Sequence, residues 1–221
     1  MRPGDECWFV GRLIDWWIRT GGSRHYPWRN TGDPYRVLVA EVLLQRTRRD
    51  KVREVYVSFI ERFPDPRTLA EADVREVEEA IRGLGLRKRA PYLIRLAHAM
   101  AEKYGELTAD GNFEELPGIG RYMASAARII LGMDTELYPD SSIARVFSRL
   151  FGRKLEARRP ADTPWVAEIL NRCSPKSIDL KKKYFLALID LAWEICRPNK
   201  ARCDICPIRD GCTYASGSVK P

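Results

Sequence analysis

Apolar residues recur at helical spacing along almost all of this chain of 221 residues. Glycine and proline residues interrupt the pattern at intervals that suit helices of ordinary length. No segment shows the strict alternation of apolar and polar residues that is typical of a half-buried strand. The sequence therefore predicts an all-α fold. The clearest periodic runs are Tyr35–Leu43, Leu93–Tyr104 and Ile143–Leu150.

The charge of the chain indicates an anionic partner. A formal net charge of +8 and a sequence pI near 9.3 are common among proteins that bind nucleic acid. The charge does not decide the matter alone, because excess lysine and arginine also keep a protein soluble. No apolar run is long enough to cross a membrane, and the apolar stretch Trp8–Ile18 contains Arg12 and Asp15. We therefore expect an amphipathic helix there and a cytoplasmic location.

Four cysteines lie in one short segment near the end of the chain: Cys196, Cys203, Cys206 and Cys212. Their spacing, C-x6-C-x2-C-x5-C, allows four thiolates to surround a single inorganic core. Zinc sites usually have two separated C-x2-C pairs or histidine ligands, whereas this segment has one such pair and no histidine. The pattern favours a [4Fe-4S] cluster over zinc. Its role would be structural, because four cysteines leave no coordination position open.

Two further cysteines, Cys7 and Cys173, stand apart from this segment. A chain in a reducing compartment ordinarily keeps its thiols reduced, but intracellular disulfides occur in hyperthermophiles. Heat-labile amide side chains are scarce, since Gln45 is the only glutamine and the chain has four asparagines. We therefore expect a thermophilic prokaryotic source, and the state of Cys7 and Cys173 stays open.

A short glycine-containing segment, Leu116-Pro117-Gly118-Ile119-Gly120, precedes a run with helical spacing. Glycines allow the backbone to approach a partner closely, and the N-terminus of the following helix offers free amides and the positive end of a dipole. This arrangement suits a DNA phosphate. The same pattern is also typical of an ordinary turn between helices.

Asp140 stands directly before another helical run, and its simplest interpretation is an N-cap. A cap position also keeps a carboxylate ionised. An ionised carboxylate is what a group needs if it stabilises a cationic sugar or orients water. One residue can serve both purposes.

Together, the hairpin, Asp140 and the cysteine spacing resemble the helix-hairpin-helix DNA glycosylases of the endonuclease III and MutY superfamily. The similarity covers nearly the whole chain and extends to four more motifs. The resemblance implies two helical lobes with DNA bound in the cleft between them and the target nucleotide flipped into it. It places a six-helix barrel lobe with the hairpin at 30–135, and an iron-sulfur lobe at 1–29 and 136–221. The four motifs are Pro27-Trp28-Arg29, Asp33-Pro34-Tyr35, Ala40-Glu41-Val42-Leu43-Leu44-Gln45 and Gly83-Leu84-Gly85.

Residues that separate the subfamilies point to one of them. Members related to endonuclease III carry a lysine nucleophile where this chain has Tyr122. Adenine glycosylases usually carry an aromatic residue where this chain has Leu86, a small hydroxyl residue at position 122, and a further C-terminal domain. Gly120-Arg121-Tyr122 followed by Asp140 is similar to the archaeal G/T mismatch glycosylases. That resemblance implies removal of thymine or uracil opposite guanine by a monomeric, nucleoid-associated enzyme.

The resemblance also implies roles for individual residues. Asp140 would stabilise positive charge on the deoxyribose and guide water to it, and Tyr122 would stack on the flipped base or hydrogen-bond to it. Glu41 matches the glutamate that protonates a purine in adenine glycosylases, and in a pyrimidine enzyme its role stays open. Gln45 would fill the vacated place in the base stack. The expected DNA contacts are the hairpin residues Leu116, Pro117, Gly118, Ile119 and Gly120 with Arg121, together with Arg46, Arg48 and Arg49.

Three alternatives stay open at this point. The chain resembles an adenine glycosylase without its extra domain, and it also resembles an endonuclease III-like enzyme that acts on damaged pyrimidines. A non-catalytic module that recognises mismatches through the hairpin and the cluster is the third. Asp140 disfavours this last alternative, because a binding module does not need the acid.

Overall fold

The computed structural model describes residues 6–22, 26–85 and 87–217, and within 104–110 it describes only the backbone. Leu86, which the sequence analysis used to separate subfamilies, lies outside the described residues. The regular elements of the described residues are ten α-helices and short 3-10 helices, with no strand. The prediction of an all-α fold is therefore confirmed. The helices are α1 (Phe9–Arg19), α2 (Pro34–Leu44), α3 (Arg49–Arg62), α4 (Pro66–Ala70), α5 (Val74–Ala80), α6 (Ala90–Asp110), α7 (Arg121–Ile130), α8 (Ser141–Phe151), α9 (Pro164–Arg172) and α10 (Ile178–Glu194).

Contacts divide the chain into two compact units. The terminal unit combines Met1–Gly22 with Asp134–Pro221, and the central unit is Ser23–Met133. The boundaries thus fall at 22/23 and 133/134, against the 29/30 and 135/136 expected from the family resemblance. In the described part of the chain, no helix combines the length and the apolar character that crossing a membrane requires.

The central unit is organised around α2, which is buried almost all round. Asp33 starts this helix by accepting a hydrogen bond from the Tyr35 amide, and Pro34 occupies the first helical position, where a missing N–H costs nothing. The Tyr35 ring is fully buried, and its hydroxyl donates to the Phe63 carbonyl at 2.7 Å. These anchors fix the axis of α2, whose far end carries Glu41 and Gln45.

The terminal unit packs α1 and α8 against α10. Phe9 and Tyr184 are fully buried in its core, and a buried hydrogen bond joins the Trp17 indole N–H to Asp190 Oδ2 at 2.8 Å. Because a buried carboxylate is costly without a partner, this bond fixes the register between α1 and α10. The chain that precedes α1 packs its Trp8 ring against Gly211, next to Cys212.

Cys7 and Cys173 form a disulfide, which resolves the state that the sequence left open. The bond joins the segment before α1 to the residue that ends α9, across 166 residues of sequence. Cross-linking such distant positions removes many conformations from the unfolded chain. The disulfide therefore holds the N-terminal helix onto the terminal unit.

Replacing Cys7 with serine is expected to lower the free energy of unfolding by about 2–5 kcal/mol, because the unfolded chain regains the entropy of a long open loop. A fall in the Tm in a thermal scan would measure the loss. Cys173→Ser should give the same shift, and Cys7→Ser/Cys173→Ser no further one. Alkylation of both thiols in denatured but unreduced wild-type protein would contradict the assignment.

Candidate nucleic-acid interface and active site

The hairpin of the central unit is a tight turn between α6 and α7. The Ile119 amide donates to the Leu116 carbonyl at 3.1 Å, Pro117 occupies the second position, and Gly118 has a φ of +73°. Proline at the second position and a positive φ at the third define a type II turn. Leu116 and Ile119 are buried, whereas Pro117, Gly118 and Gly120 are exposed. The apolar side chains that the sequence analysis assigned to DNA contact therefore anchor the turn, and only their backbone can face a partner.

Tyr92 of α6 lies directly under the turn, and no pattern in the sequence indicated this contact. A Cβ atom built on Gly118 would lie 2.3 Å from Tyr92 Oη and 2.4 Å from its ring. Glycine is thus required at position 118 both by the left-handed backbone and by the phenol beneath it. Burial raises the pKa of the Tyr92 hydroxyl.

Gly118→Ala is expected to displace the hairpin and to cost about 1–3 kcal/mol of stability, because alanine would be strained at a positive φ. DNA affinity should fall with it, which titration of a fluorescent duplex would measure. Gly32→Ala is the matched control, since a Cβ built there meets nothing within 4 Å among the described residues. Equal affinity of the two variants would show that the turn does not contact DNA.

The N-terminus of α7 opens beside this turn. Gly120 is the N-cap and provides no side-chain cap, and a Cβ built on it meets no atom within 4 Å in the described part of the chain. The first helical residue, Arg121, is exposed, Tyr122 is half-buried and Met123 is buried. Backbone amides and a positive dipole end thus face open space beside a cation, which is the arrangement that binds phosphate.

The end of α2 carries the next predicted residues. Glu41 is buried at 7% exposure, while Gln45 and Arg46 are exposed beyond the last helical turn. The Gln45 side-chain nitrogen lies 3.0 Å from the Met123 sulfur on α7. The central unit therefore brings Gln45 next to the helix that begins at the hairpin and carries Tyr122.

Two of the three arginines that the sequence analysis assigned to phosphate contact are exposed, as contact with DNA requires. Arg46 and Arg48 are exposed. Arg49 is not, because it is 8% exposed and its guanidinium lies 4.9 Å from the centre of the Tyr26 ring. The structure thus differs from the sequence-based assignment of Arg49 to phosphate contact, since its charge is held in a cation–π contact inside the central unit.

Asp140 is the N-cap of α8 in the terminal unit. Its Oδ1 accepts hydrogen bonds from the amides of Ser142 at 3.0 Å and Ile143 at 2.8 Å. The Ser142 hydroxyl lies 2.7 Å from Oδ1 and 2.8 Å from Oδ2. The backbone thus engages one oxygen, while Oδ2 is contacted among the described residues by that hydroxyl alone and keeps further lone pairs. The half-buried carboxylate thus lies at the N-terminus of α8, at the positive end of the helix dipole.

The four cysteines of the C-terminal segment line one cavity together with apolar side chains of α8 and α10. No disulfide joins any two of them. Burial raises the pKa of the Cys206 thiol to about 11, and burial also raises that of Cys212. Among the described residues, no three acidic, histidine or cysteine side chains are close enough to hold one metal ion. The donor set is nevertheless one of sulfurs around a shared apolar space, which suits a soft inorganic core.

Two arginines of α8 hold the cysteine segment, and the sequence analysis missed both. Arg145 donates to the carbonyl of Cys196 at 3.0 Å, and Arg149 donates to the carbonyls of Arg197 and Pro198 at 2.7 Å each. Arg149 also lies 3.5 Å from the Cys196 sulfur. Their spacing of four residues on one helix face is the signal that could have indicated them. Arg149 thereby places positive charge beside the Cys196 sulfur.

Comparison with known proteins identifies the family. Residues 39–164, more than half of the chain, match the family described as HhH-GPD superfamily base excision DNA repair protein. The chain belongs to this superfamily. The matched range contains Glu41, Gln45, the hairpin and Asp140, whereas the cysteine segment lies beyond it. The resemblance drawn from the sequence is therefore confirmed.

Curated relatives of this HhH-GPD protein include two from archaea. The thymine-DNA glycosylase of Aeropyrum pernix is 38% identical over 92% of both chains. The thymine/uracil-DNA glycosylase of Pyrobaculum aerophilum is 32% identical over 94% of this chain and 91% of its own. The adenine DNA glycosylase of Homo sapiens is 30% identical over 92% of this chain, but the match spans only 39% of its own length.

Solved structures agree with the helical architecture. A thermostable thymine-DNA glycosylase superposes with a TM-score of 0.75 at 27% identity, covering 95% of both chains. A trapped covalent intermediate of endonuclease III with DNA also gives 0.75, at 20% identity and covering 96% of both chains. At that identity the second match shows the fold alone.

Proposed function

We propose that this HhH-GPD protein is a monofunctional DNA glycosylase that removes thymine or uracil mispaired with guanine from duplex DNA. The observation that carries the proposal is its 38% identity, over nearly full length, to a protein named as a thymine-DNA glycosylase. The half-buried tyrosine at position 122 supports hydrolysis, because that side chain lacks the amine that a lyase needs to form a Schiff base.

DNA binding would begin at the hairpin. The exposed turn and the open N-terminus of α7 would hold a phosphate through backbone amides, with Arg121, Arg46 and Arg48 adding charge. A G·T or G·U wobble pair unpairs more readily than a matched pair, so extruding its pyrimidine costs less. Gln45 would occupy the vacated stack, and Tyr122 would contact the extruded base.

Base release would break the bond between C1′ of the deoxyribose and N1 of the pyrimidine. The bonding electrons leave with the base, and positive charge develops on the sugar. Asp140 would stabilise that charge through its free Oδ2 lone pairs and orient a water molecule. The water oxygen then bonds to C1′, one of its protons is released, and an abasic site remains. Glu41 is held on the buried face of α2, and we propose that it orients the base or a water molecule.

We further propose that Cys196, Cys203, Cys206 and Cys212 hold a [4Fe-4S] cluster. All four line one cavity, and the Arg149 guanidinium beside Cys196 would balance part of the negative charge of a thiolate-bound cluster. A cluster with four cysteine ligands cross-links the segment and takes no part in base release. The active form is proposed to be a monomer.

A panel of duplexes tests the proposed function. Purified protein is incubated with G·T, G·U, A·G and A opposite 8-oxoguanine, and each reaction is analysed with and without alkali. Cleavage at G·T or G·U that requires alkali supports the proposal. Release of adenine would make the protein an adenine glycosylase, cleavage without alkali would make it a lyase, and binding without any cleavage would leave a recognition module.

Replacing Tyr122 with lysine is expected to add strand cleavage without alkali, because an amine would then stand where the family's lyases carry their nucleophile. The covalent product should be trapped on DNA by borohydride, whereas the wild type should give no trapped product. Arg121→Lys, which places an amine one residue earlier on the same turn, is the control and should not trap. Failure of Tyr122→Lys to trap on a G·U duplex would show that position 122 does not face the sugar.

A further inference from the structure

The turn that follows α2 has an unusual backbone. Arg46 has a φ of +54° and is the only non-glycine residue with a positive φ in the described part of the chain. Its neighbour Thr47 is buried, so that the exposed pair Gln45 and Arg46 projects from a fixed base. A non-glycine residue with a left-handed backbone requires support from surrounding groups, because this conformation is unfavourable in an isolated chain.

Arg89 provides that support from the 3-10 helix Arg87–Arg89 in the same unit. Its guanidinium donates to the carbonyl of Val42 at 2.8 Å, to that of Leu43 at 3.3 Å, and to that of Gln45. Val42 and Leu43 belong to the last turn of α2 and Gln45 is its C-cap, where carbonyls lack the regular amide donors of a helix interior. The Val42 carbonyl also accepts from the Gln45 amide at 3.3 Å, and the Gln45 carbonyl accepts from the Thr47 hydroxyl at 3.2 Å. The planar fork of arginine reaches all three, and its charge complements the negative end of the helix dipole.

Among the described residues, the Gln45 side chain makes one hydrogen bond, and that bond is weak. Its amide nitrogen contacts the Met123 sulfur, and a thioether is a weak acceptor. The Arg89 guanidinium thus fixes the backbone of the turn. The Gln45 side chain can give up its weak contact with Met123 and insert into the base stack. A residue that fills the base stack requires this combination of a fixed backbone and a releasable side chain. Because the backbone is ordered before DNA binds, its ordering costs no binding free energy.

We infer that Arg89 is a positioning residue for base extrusion, which acts by holding the turn that presents Gln45 and Arg46 to the duplex. This inference rests on the proposed glycosylase function and extends it to a residue that does not itself contact the base. Removing the fork would let the turn relax toward ordinary backbone conformations. Gln45 would then enter the duplex late or in the wrong register, while the hairpin would still bind phosphate.

The test compares Arg89→Met with Arg87→Met, which removes an equal charge from an exposed position of the same 3-10 helix. In a G·U duplex, 2-aminopurine beside the uracil reports unstacking, and single-turnover assays report base release. Arg89→Met should slow both steps by about 10-fold to 100-fold, as expected for a misplacement of about 1 Å. Duplex affinity should change by less than about threefold, because the hairpin's phosphate contacts remain. Arg87→Met should behave as wild type.

A double-variant cycle separates positioning from general stability. If Arg89 acts through Gln45, Arg89→Met/Gln45→Ala should extrude uracil no more slowly than Gln45→Ala alone. Additive losses would overturn the inference. If Arg89→Met lowers the Tm, Arg89→Lys replaces it in the same cycle, because lysine keeps the charge but lacks the planar guanidinium. A wild type that releases neither thymine nor uracil refutes the proposed function itself, whereas an active wild type with additive variants refutes only the role of Arg89.

Discussion

Asp140→Asn is expected to reduce base release from G·T and G·U duplexes by at least about 10²-fold to 10³-fold, the usual effect of removing one electrostatic group from a preorganised site. The substitution removes the negative charge and preserves the shape. Asparagine caps helices about as well as aspartate, and its Oδ1 can still accept from the amides of Ser142 and Ile143. The Tm and the mismatch affinity should therefore stay close to those of the wild type, and single-turnover kinetics would isolate the loss in chemistry.

Asp73→Asn is the matched control for this experiment. Asp73 caps α5 by accepting from the Arg75 amide at 2.8 Å, and it belongs to the central unit, whereas Asp140 belongs to the terminal unit. Its variant should release base at the wild-type rate. Full activity of Asp140→Asn would show that the carboxylate is only a cap, and the mechanism proposed above would lose the group that stabilises the sugar cation.

The sequence predicted what depends on local chemistry. The Pro-Gly pair predicts a turn because proline fixes one φ and glycine allows the next to be positive, and the structure has that turn at Pro117 and Gly118. Asp140 was correctly interpreted as an N-cap for the same reason. Four cysteines within one short segment must lie near one another, and they line one cavity.

Long-range packing decided what the sequence could not. Arg49 follows two exposed arginines in a basic run, yet it is buried because the Tyr26 ring lies within reach of its guanidinium. Cys7 and Cys173 are 166 residues apart, and no pattern within either segment indicates the other. Arg89 meets the carbonyls of α2 from more than forty positions away. Such partners become visible only when the helices are packed.

Asp140 and the cysteine segment are linked through a single helix, α8. Asp140 caps the first turn of α8. Carbonyls in the last turn of α8 accept hydrogen bonds from the segment that follows Cys212. The Thr213 amide donates to the Leu150 carbonyl at 3.1 Å, and the Tyr214 amide donates to the Arg149 carbonyl at 3.0 Å. Because Asp140 and these carbonyls stand at the two ends of one continuous helix, we expect that loosening its C-terminal end would change how firmly Asp140 is held. We therefore expect the cysteine segment to support the Asp140 carboxylate from the other end of α8.

On the proposal that the four cysteines hold a [4Fe-4S] cluster, Cys206→Ser is expected to remove that cluster and to weaken the terminal unit. The wild type should contain about four iron atoms per chain and be brown, and the variant should be nearly iron-free and colourless. Losing a cross-link that closes a segment of this length should lower the free energy of unfolding by about 3 kcal/mol, the value that loop-closure arguments give for about 15 residues. Iron analysis and a thermal scan measure the two effects.

The control for the iron measurement is Cys173→Ser, which also removes one sulfur from the terminal unit but takes it from the disulfide. That variant should lose stability and keep its iron, whereas Cys206→Ser should lose both. In Cys206→Ser, the Arg149 guanidinium beside Cys196 would no longer be neutralised by the negative charge of a thiolate-bound cluster. A wild type that contains zinc and no iron, or a Cys206→Ser variant with full iron content, would show that these cysteines do not hold the proposed cluster.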